Sequence, residues 1–471
     1  MKKWRVVLLV GGLVIGLYVL TASAADISVS GAMRISGYSS RNVSTVPGDK
    51  KAEVDTRVQQ DLELRVKASV SPDLFGTVVF TAEGFPEGWG TYGNGYGHMT
   101  FYDGKQPAGI KAAYLTFKIP GMTTPVWTDV GMIEVSRLVR VVPKGESPGL
   151  QFRSSCELQG GTLSWVLGWN KKADKEYAVE PPPQENKMKD ILWATGADAK
   201  LGFLADPTEY PVSIDYYYTA VSYAMKQGLT LGAHFSIERA DFLSNPTFKD
   251  SSMWWLGAYA LGKVGPVQVE ADVVHNNGKL NRTDKDVKYS GWYLRGVLTY
   301  PFEKYSVGLG GLYVSGNDQK KLNDEYKLNK FTPPYGGGNA GPLADSLIVV
   351  GGWNTAFSPV GDPGWTGGPM GYQGYWGLRL FGTYKVTDWL TLMGQVAYFG
   401  DNTKHGDIFY KGKDHDDIGW EVDLVAGINL YKNLMLRTGF GYLFAGNAAK
   451  NASGQDLKDP YLFVTTLFFT F

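Results

Sequence analysis

Hydrophobic and polar residues alternate in many short runs along this chain, which is the pattern of β-strands that have one apolar and one polar face. The sharpest run carries Arg57, Gln59, Asp61, Glu63, Arg65 and Lys67 on one face, and Val58, Leu62, Leu64, Val66 and Ala68 on the other. The last eleven residues, Tyr461–Phe471, are almost wholly apolar and aromatic. Exposed to water, such a terminal strand would aggregate. In a lipid bilayer it is an ordinary wall strand if neighbours pair both of its edges.

The connections between these runs distinguish a soluble sandwich from a membrane barrel. Eight are short and lie near residues 70–74, 120–125, 159–161, 225–227, 263–265, 301–304, 387–389 and 431–433. Nine are long and polar or Gly-rich: 40–53, 85–108, 133–148, 171–209, 240–251, 277–287, 316–371, 401–417 and 445–459. Short turns on one side and long loops on the other are the layout of outer-membrane barrels.

This alternation predicts an all-β fold, a transmembrane antiparallel β-barrel with short periplasmic turns and long external loops. Eight turns and nine loops join about 18 strands, and 16 is the alternative if one turn is false. Two further runs, 191–201 and 346–357, look strand-like, but neither one alone fits the up-and-down order of the strands. We place them inside long external loops.

The first 24 residues have the three parts of a secretory signal peptide. Lys2, Lys3 and Arg5 are followed by an apolar core and by Ala22-Ser23-Ala24, so we expect cleavage before Ala25. An uncleaved anchor is the alternative, but the core is short for a membrane span of ~20 residues. The expected domains are therefore a signal peptide, 1–24, and a single barrel, 25–471.

Composition narrows the function classes further. The chain has 46 basic and 46 acidic residues and no basic run, so nothing points to nucleic acid as a partner. The 28 Tyr and 14 Trp residues suit the aromatic girdles of a barrel, where rings meet the membrane interface. The single cysteine, Cys156, excludes an internal disulfide and a Cys-rich metal site.

With its leader, the strand directly after it, the turn–loop alternation and the terminal Phe471, the chain resembles a bacterial outer-membrane porin. The stretch from Ala112 to Gly131 is similar to a hairpin common in porin-like channels. Where those channels often place a basic residue next, Met132 and Ile133 follow here. The resemblance implies localisation in the cell outer membrane, contact with its lipid, passive diffusion of small hydrophilic solutes and, often, a homotrimer.

In a barrel of 16 to 18 strands the inner face lines an aqueous channel, so inward charges set selectivity and a loop folded inward sets the size limit. The predicted pore-lining or constriction residues are Arg57, Asp61, Glu63, Arg65, Lys67, Glu134, Arg137 and Arg140. The last three belong to the loop 133–148, the candidate constriction; a solvated external loop is the alternative. The Gly-rich stretch 84–104 is a second inward candidate, and 316–371 is long enough to form a lid.

No catalytic motif appears, so we expect no enzyme and no cofactor. The stretch 405–417, with His405, Asp407 and His415, has no standard metal-ligand spacing and is favoured as a solvated loop. Two alternatives to a general porin stay open. One is a substrate-selective channel for a sugar, organic acid or peptide, and the other is a barrel that acts as an adhesin or as a scaffold for exported partners.

Overall fold

The computed structural model describes residues 25–41, 55–84, 99–100, 108–135, 145–174, 212–242, 248–316, 318, 321, 325–329, 331–332, 374–402, 417–447 and 459–471. The strands are β1 Asp26–Arg41, β2 Asp55–Ser71, β3 Leu74–Gly84, β4 Met99–Thr100, β5 Ala108–Lys118, β6 Val126–Val135, β7 Gly145–Leu158, β8 Gly161–Asp174, β9 Val212–Met225, β10 Leu229–Phe242, β11 Phe248–Val264, β12 Val267–Arg282, β13 Val287–Pro301, β14 Tyr305–Val314, β15 Lys327–Leu328, β16 Tyr375–Lys385, β17 Leu390–Asp401, β18 Asp417–Tyr431, β19 Leu434–Ala445 and β20 Tyr461–Thr470. In this part of the chain no helix has the length and hydropathy that a membrane span requires.

The strands form one antiparallel wall that closes on itself. Two of them, β4 and β15, span only two residues each, so 18 strands make up the wall, as the sequence predicted. Closure is made by the first and last strands, which pair from Ala32 opposite Thr470 to Arg41 opposite Tyr461. Gly31 and Phe471 complete the seam with reciprocal backbone hydrogen bonds of 2.9 and 3.1 Å. Closure leaves no unpaired edge between the ends of the chain, which is what a bilayer demands.

All eight predicted turns join consecutive wall strands, and the strand ends that flank the nine predicted long connections lie at the opposite end of the wall. The boundaries of several loops were wrong. The stretch 277–287 was placed in a loop, but β12 continues to Arg282 and β13 begins at Val287. Likewise β11 begins at Phe248, within the predicted loop 240–251. Apolar alternation ends where the lipid ends, whereas backbone pairing continues beyond it, so the pattern underestimates the length of such strands. The runs 191–201 and 346–357 lie outside the described residues.

The outer face of the wall carries the apolar residues. On β18, Trp420 and Leu424 are 53% and 63% exposed, whereas Glu421 and Asp423 between them are fully buried in the barrel. Exposed rings cluster near both ends of the strands. On the side of the long loops, Tyr398 lies 5.5 Å from Trp376 and 5.0 Å from Trp420, measured between ring centroids. These are the girdles expected at the two interfaces of a membrane.

On the inner face, glycines let large side chains of the next strand lie flat against the wall. A Cβ built on Gly308 would be 2.1 Å from the ring of Phe381, and one on Gly310 would be 2.5 Å from Nε of Arg379. Tyr218 lies in the same way over Gly168. Glycine is the residue that permits such close approach. The bulk of these side chains therefore follows the wall instead of crossing the interior.

Candidate functional site: the charged inner wall

Four ionised side chains on β2, β5 and β6 form a network on the inner wall. Nζ of Lys111 lies 2.7 Å from Oε2 of Glu63, and Nη2 of Arg65 lies 2.7 Å from Oε2 of Glu134. Arg65 also approaches Glu63 at 3.5 Å and donates to the hydroxyl of Tyr114 at 3.3 Å. Arg65, Glu63 and Glu134 are a quarter to a third exposed. The network contains two positive and two negative charges and remains in contact with the interior space.

This network contains three of the residues that sequence analysis singled out: Glu63, Arg65 and Glu134. The assignment of Glu134 to the loop 133–148 was wrong, because β6 continues to Val135 and β7 begins at Gly145. Lys67 lies on the same face of β2, with its Nζ 3.7 Å from the centroid of the Phe75 ring. Arg57 and Asp61 are within the backbone of β2, but their side chains lie outside the described part of the structure. Arg137 and Arg140 also lie outside the described residues, as do nearly all of 84–104 and most of 405–417. The pore-lining role of the eight residues stays a prediction.

A second polar network surrounds Asp129 on β6. Its carboxylate accepts hydrogen bonds from Thr116 at 2.7 Å, and from Gln151 and Nε of Arg153 at 3.0 Å each. The hydroxyl of Tyr218 donates to Gln151 at 2.8 Å, which extends the network to β9. Asp129 is buried, and a buried carboxylate is stable only when it is paired and hydrogen-bonded in this way.

Two further groups of charges lie farther round the wall. On β12 and β13, Nη2 of Arg295 is 2.9 Å from Glu270 and Nη1 is 3.4 Å from Asp272. One guanidinium facing two carboxylates leaves this group net negative. On β17 and β18, Nε2 of Gln395 donates to Asp423 at 2.6 Å, beside the buried Glu421.

Sequence reasoning did not select the inner-wall residues Glu270, Asp272, Arg379, Glu421 and Asp423 as site residues. The available signal was a charged residue on the polar face of an otherwise apolar strand. That signal was used for β2 alone.

Charged residues of both signs are distributed around the inner wall. The arc of β19, β20, β1, β2, β3 and β5 carries the basic residues Arg437, Arg34, Arg65, Lys67 and Lys111. The strands β10, β12 and β18 carry the acidic residues Glu238, Glu270, Asp272, Glu421 and Asp423. The second wall strand is β2, and β12 is the eleventh because β4 lies outside the wall, so these two strands face each other across the ring of 18. Glu63 lies among the basic residues, Arg295 lies among the acidic ones, and β18 is adjacent to β19, so the charges do not separate into two opposed arcs.

Part of the long connection 315–374 folds inward. β15 pairs in parallel with Lys288 and Tyr289 of β13. These residues precede Tyr293, where the pairing of β13 with β14 begins. Phe331 is buried against Tyr293, with 5.6 Å between ring centroids. Nε1 of Trp255 donates to the carbonyl oxygen of Thr332 at 2.7 Å. Residues 325–329 and 331–332 of this connection therefore cover the inner wall over β11 to β14. They belong to the loop 316–371, which the sequence analysis described as long enough to form a lid.

Among the described residues, no group of three or more His, Cys, Asp or Glu side chains is arranged to hold a metal ion.

No protein-family model matches the sequence, and no curated protein matches it. The structure is similar to OccAB3 of Acinetobacter baumannii at 10% identity, with a TM-score of 0.54 over 95% of this chain and 99% of that one. It is similar to the outer membrane protein OpdK of Pseudomonas aeruginosa at 11% identity, with a TM-score of 0.50 over 94% and 99% of the two chains. The structure of OccK2 (OpdF) of Pseudomonas aeruginosa in complex with glucuronate also matches at 10% identity, with a TM-score of 0.50 over 94% and 96%.

These likenesses establish the fold. Together with the apolar outer band and the ionised inner wall, they identify the fold as a closed, membrane-spanning β-barrel of the kind seen in these outer-membrane proteins.

Proposed function

We propose that the protein forms a water-filled channel for passive diffusion of small hydrophilic solutes or ions across the outer membrane. The observation that carries this proposal is the partly exposed network of Glu63, Arg65, Lys111 and Glu134 inside a wall that is apolar outside. Because Glu63, Arg65 and Glu134 remain a quarter to a third exposed on the inner face, we expect them to lie beside water. A wall of 18 strands is also wide enough to enclose an aqueous channel, as in porins of 16 to 18 strands.

Ion pairs of both signs on the inner wall support the passage of polar solutes and of solutes that carry both signs of charge. Because the inner wall carries both signs in similar number, we expect only a weak preference between small anions and cations.

Reversal potentials and solute flux test this proposal together. Purified protein in a planar bilayer under a tenfold salt gradient is expected to give a reversal potential close to zero. Proteoliposomes that contain the protein should swell in small zwitterions faster than in neutral solutes of equal size. A reversal potential near the limit of a perfectly selective channel, or no swelling in any small solute, would reject the proposal.

A substrate-selective channel for an organic acid, a sugar or a peptide is the second candidate. It is favoured by the inward segment 325–332, which covers one side of the inner wall and so narrows the path. The OccK2 (OpdF) structure holds glucuronate, a sugar acid, so acids of this kind are the first probes to use. Block of the ionic current by a micromolar solute would indicate selective binding, whereas block only at high millimolar concentration would favour general diffusion.

We propose a channel rather than an enzyme, and a channel rather than an adhesin or scaffold. Measured solute flux separates these classes, because neither a catalytic nor a purely adhesive barrel needs an open path.

The homotrimer and the removal of residues 1–24 stay predictions. Chemical crosslinking in native membranes tests the first, and N-terminal sequencing of the membrane-inserted protein tests the second.

A further inference from the structure

Outward-facing Trp and Tyr rings are confined to one part of the wall. In the part of the chain that the structure describes, the exposed ones all lie between β8 and β18: Trp165, Trp169, Tyr217, Trp292, Tyr300, Tyr305, Tyr313, Tyr384, Trp389, Trp420 and Tyr431. The six wall strands β1–β3 and β5–β7 contain Tyr38, Tyr114 and Trp127, and all three occupy register positions of the inner face. We call the outer face of these six strands the aliphatic sector.

The aliphatic sector consists of side chains without a polar tip. One row in hydrogen-bonded register reads Val29, Val66, Val78, Ala113 and Met132. The next row toward the short turns reads Ile27, Ala68, Gly76, Leu115 and Val130. These strands therefore present aliphatic side chains to whatever surrounds the barrel.

The short-turn level of the membrane is described throughout this sector, and no Trp or Tyr is exposed there. Its turns lie at residues 72–73, 119–125 and 159–160, where Met122 is exposed. Outside the sector, the turns after β13, β16 and β18 are flanked by Tyr300, Tyr305, Tyr384, Trp389 and Tyr431. Such rings anchor a wall where lipid headgroups meet hydrocarbon. A sector without them is not built for that boundary.

The loop-side level shows the same division among the described residues. Trp169 on β8 and Trp420 on β18 are exposed outside the sector. Inside it, Leu62 and Ala82 are paired at this level on β2 and β3. Because both levels lack the anchoring rings in the same strands, the neighbour of this sector spans the full height of the membrane. A membrane protein meets that condition.

The surface of the sector has a hollow between protruding side chains. A Cβ built on Gly76 would meet no atom within 4 Å, and Ala68 lies directly opposite Gly76 on β2. In the same row, Ile27 and Leu115 are 56% and 43% exposed. Small residues let two membrane-embedded surfaces approach closely. The sector therefore offers both a hollow and the aliphatic side chains that could fill one.

The area of the sector is sufficient for association. Six strands at a spacing of ~4.8 Å span about 25 Å. With an apolar band about 25 Å tall, the sector covers on the order of 600 Å². Two such surfaces together bury about 1,200 Å², which reaches the lower end of the range for specific protein interfaces.

We propose that the aliphatic sector binds neighbouring copies of this chain in the membrane. Every copy carries the same surface, with a hollow at Gly76 and protruding chains at Ile27 and Leu115. The two rows across the sector contain no charged or hydrogen-bonding side chain with which to recognise a chemically different partner. The proposal concerns the outer face of the wall and is independent of what passes through its interior.

Filling the hollow tests the proposal with a matched control. Gly76→Leu adds a side chain inside the sector, and Gly296→Leu adds the same side chain to the outer face of β13. A Cβ at either glycine meets no atom within 4 Å, so neither substitution disturbs its own barrel. Association of the full-length protein is measured by native mass spectrometry over a dilution series in mild detergent, and by chemical crosslinking in native membranes. Heat-modifiability shows that each variant is folded.

A second pair of variants tests a different row of the sector. Val66→Trp with Val78→Trp places two rings on paired positions of β2 and β3. Val396→Trp with Val422→Trp does the same on β17 and β18, where both valines face lipid. The expected result is the same as for the glycine variants.

The unmodified protein should form oligomers of this chain, and both sector variants should associate at least tenfold more weakly. The two control variants should associate like the unmodified protein. An unmodified protein that is monomeric in membranes and in detergent would overturn the proposal, and so would crosslinks to a different protein alone. Equal association of the sector and control variants would also overturn it.

Discussion

Arg65 on β2 and Glu134 on β6 form an ion pair of 2.7 Å that passes over two intervening wall strands. The pair is separated by 69 residues in sequence. Together with Glu63 and Lys111 it makes a balanced group of four charges on the inner wall. We expect the ionic selectivity of the proposed channel to depend on that balance.

Glu134→Gln should shift selectivity toward anions. The substitution leaves Arg65 and Lys111 with only Glu63 as counter-charge, so the network becomes net positive. One unit charge ~10 Å from a permeating ion in water contributes ~0.4 kcal/mol, with opposite sign for an anion and for a cation, which predicts a change of about fourfold in the anion-to-cation permeability ratio. Reversal potentials under a salt gradient measure this permeability ratio. Asp388→Asn, at an exposed turn, is the control and should change nothing. An unchanged ratio for Glu134→Gln would place this carboxylate outside the ion path.

Gly310→Ala should move Arg379 away from the wall. The added Cβ would be 2.5 Å from Nε of Arg379, so the long side chain must turn toward the interior. The expected result is a lower single-channel conductance and a shift toward anions. Gly427→Ala is the matched control, because Gly427 is also on the inner face and a Cβ there would meet its nearest atom only at 3.9 Å. If both variants conduct alike, the position of Arg379 over Gly310 does not control the path.

Leu424→Arg should destabilise the barrel in its membrane, because Leu424 is at the middle of β18 and faces lipid. A charge on the lipid face costs about 2–4 kcal/mol at the bilayer midplane and about 0–1 kcal/mol near the interface. Leu430→Arg, one residue before the end of β18, is therefore the depth control. Reversible urea unfolding in vesicles measures the free energy of unfolding of both variants. An equal loss of unfolding free energy in the two variants would mean that the depth of these residues in the membrane has been misassigned.

Phe331→Ala should loosen the inward segment 325–332. Removing a buried Phe side chain costs about 3–5 kcal/mol in a packed core, and this one contacts Tyr293 on the wall. We expect a larger or noisier open-channel current, since the segment no longer stays fixed against β11 to β14. Phe302→Ala removes an exposed ring at a short turn and should leave the current unchanged. A current identical to that of the unmodified protein would show that this segment does not limit the path.

The architecture was largely predictable because each of its determinants is local in sequence. Alternation on β18 separates Trp420 and Leu424 from Glu421 and Asp423, and the turn at Tyr431 is recognisable from its polar residues. The count of 18 strands then follows from the up-and-down order of turns and loops.

The contacts of the site were not predictable, because they join residues that are distant in sequence. Nothing near Phe331 in sequence indicates that its ring packs on Tyr293, or that Thr332 accepts a hydrogen bond from Trp255. The surrounding connection has no periodic apolar pattern from which a position inside the barrel could be derived. In the same way, the alternation of β2 showed that Arg65 faces inward but not that its partner is Glu134.

The central claim, an open aqueous path through the barrel, is tested most directly by single-channel recording of the purified, refolded protein in a planar bilayer. The account predicts discrete, ohmic conductance steps that grow with salt concentration, and a change in ion preference with Glu134→Gln. A protein that is folded by heat-modifiability and β-sheet content but gives no conductance steps would contradict the account. The barrel would then have to be interpreted as an adhesin or scaffold.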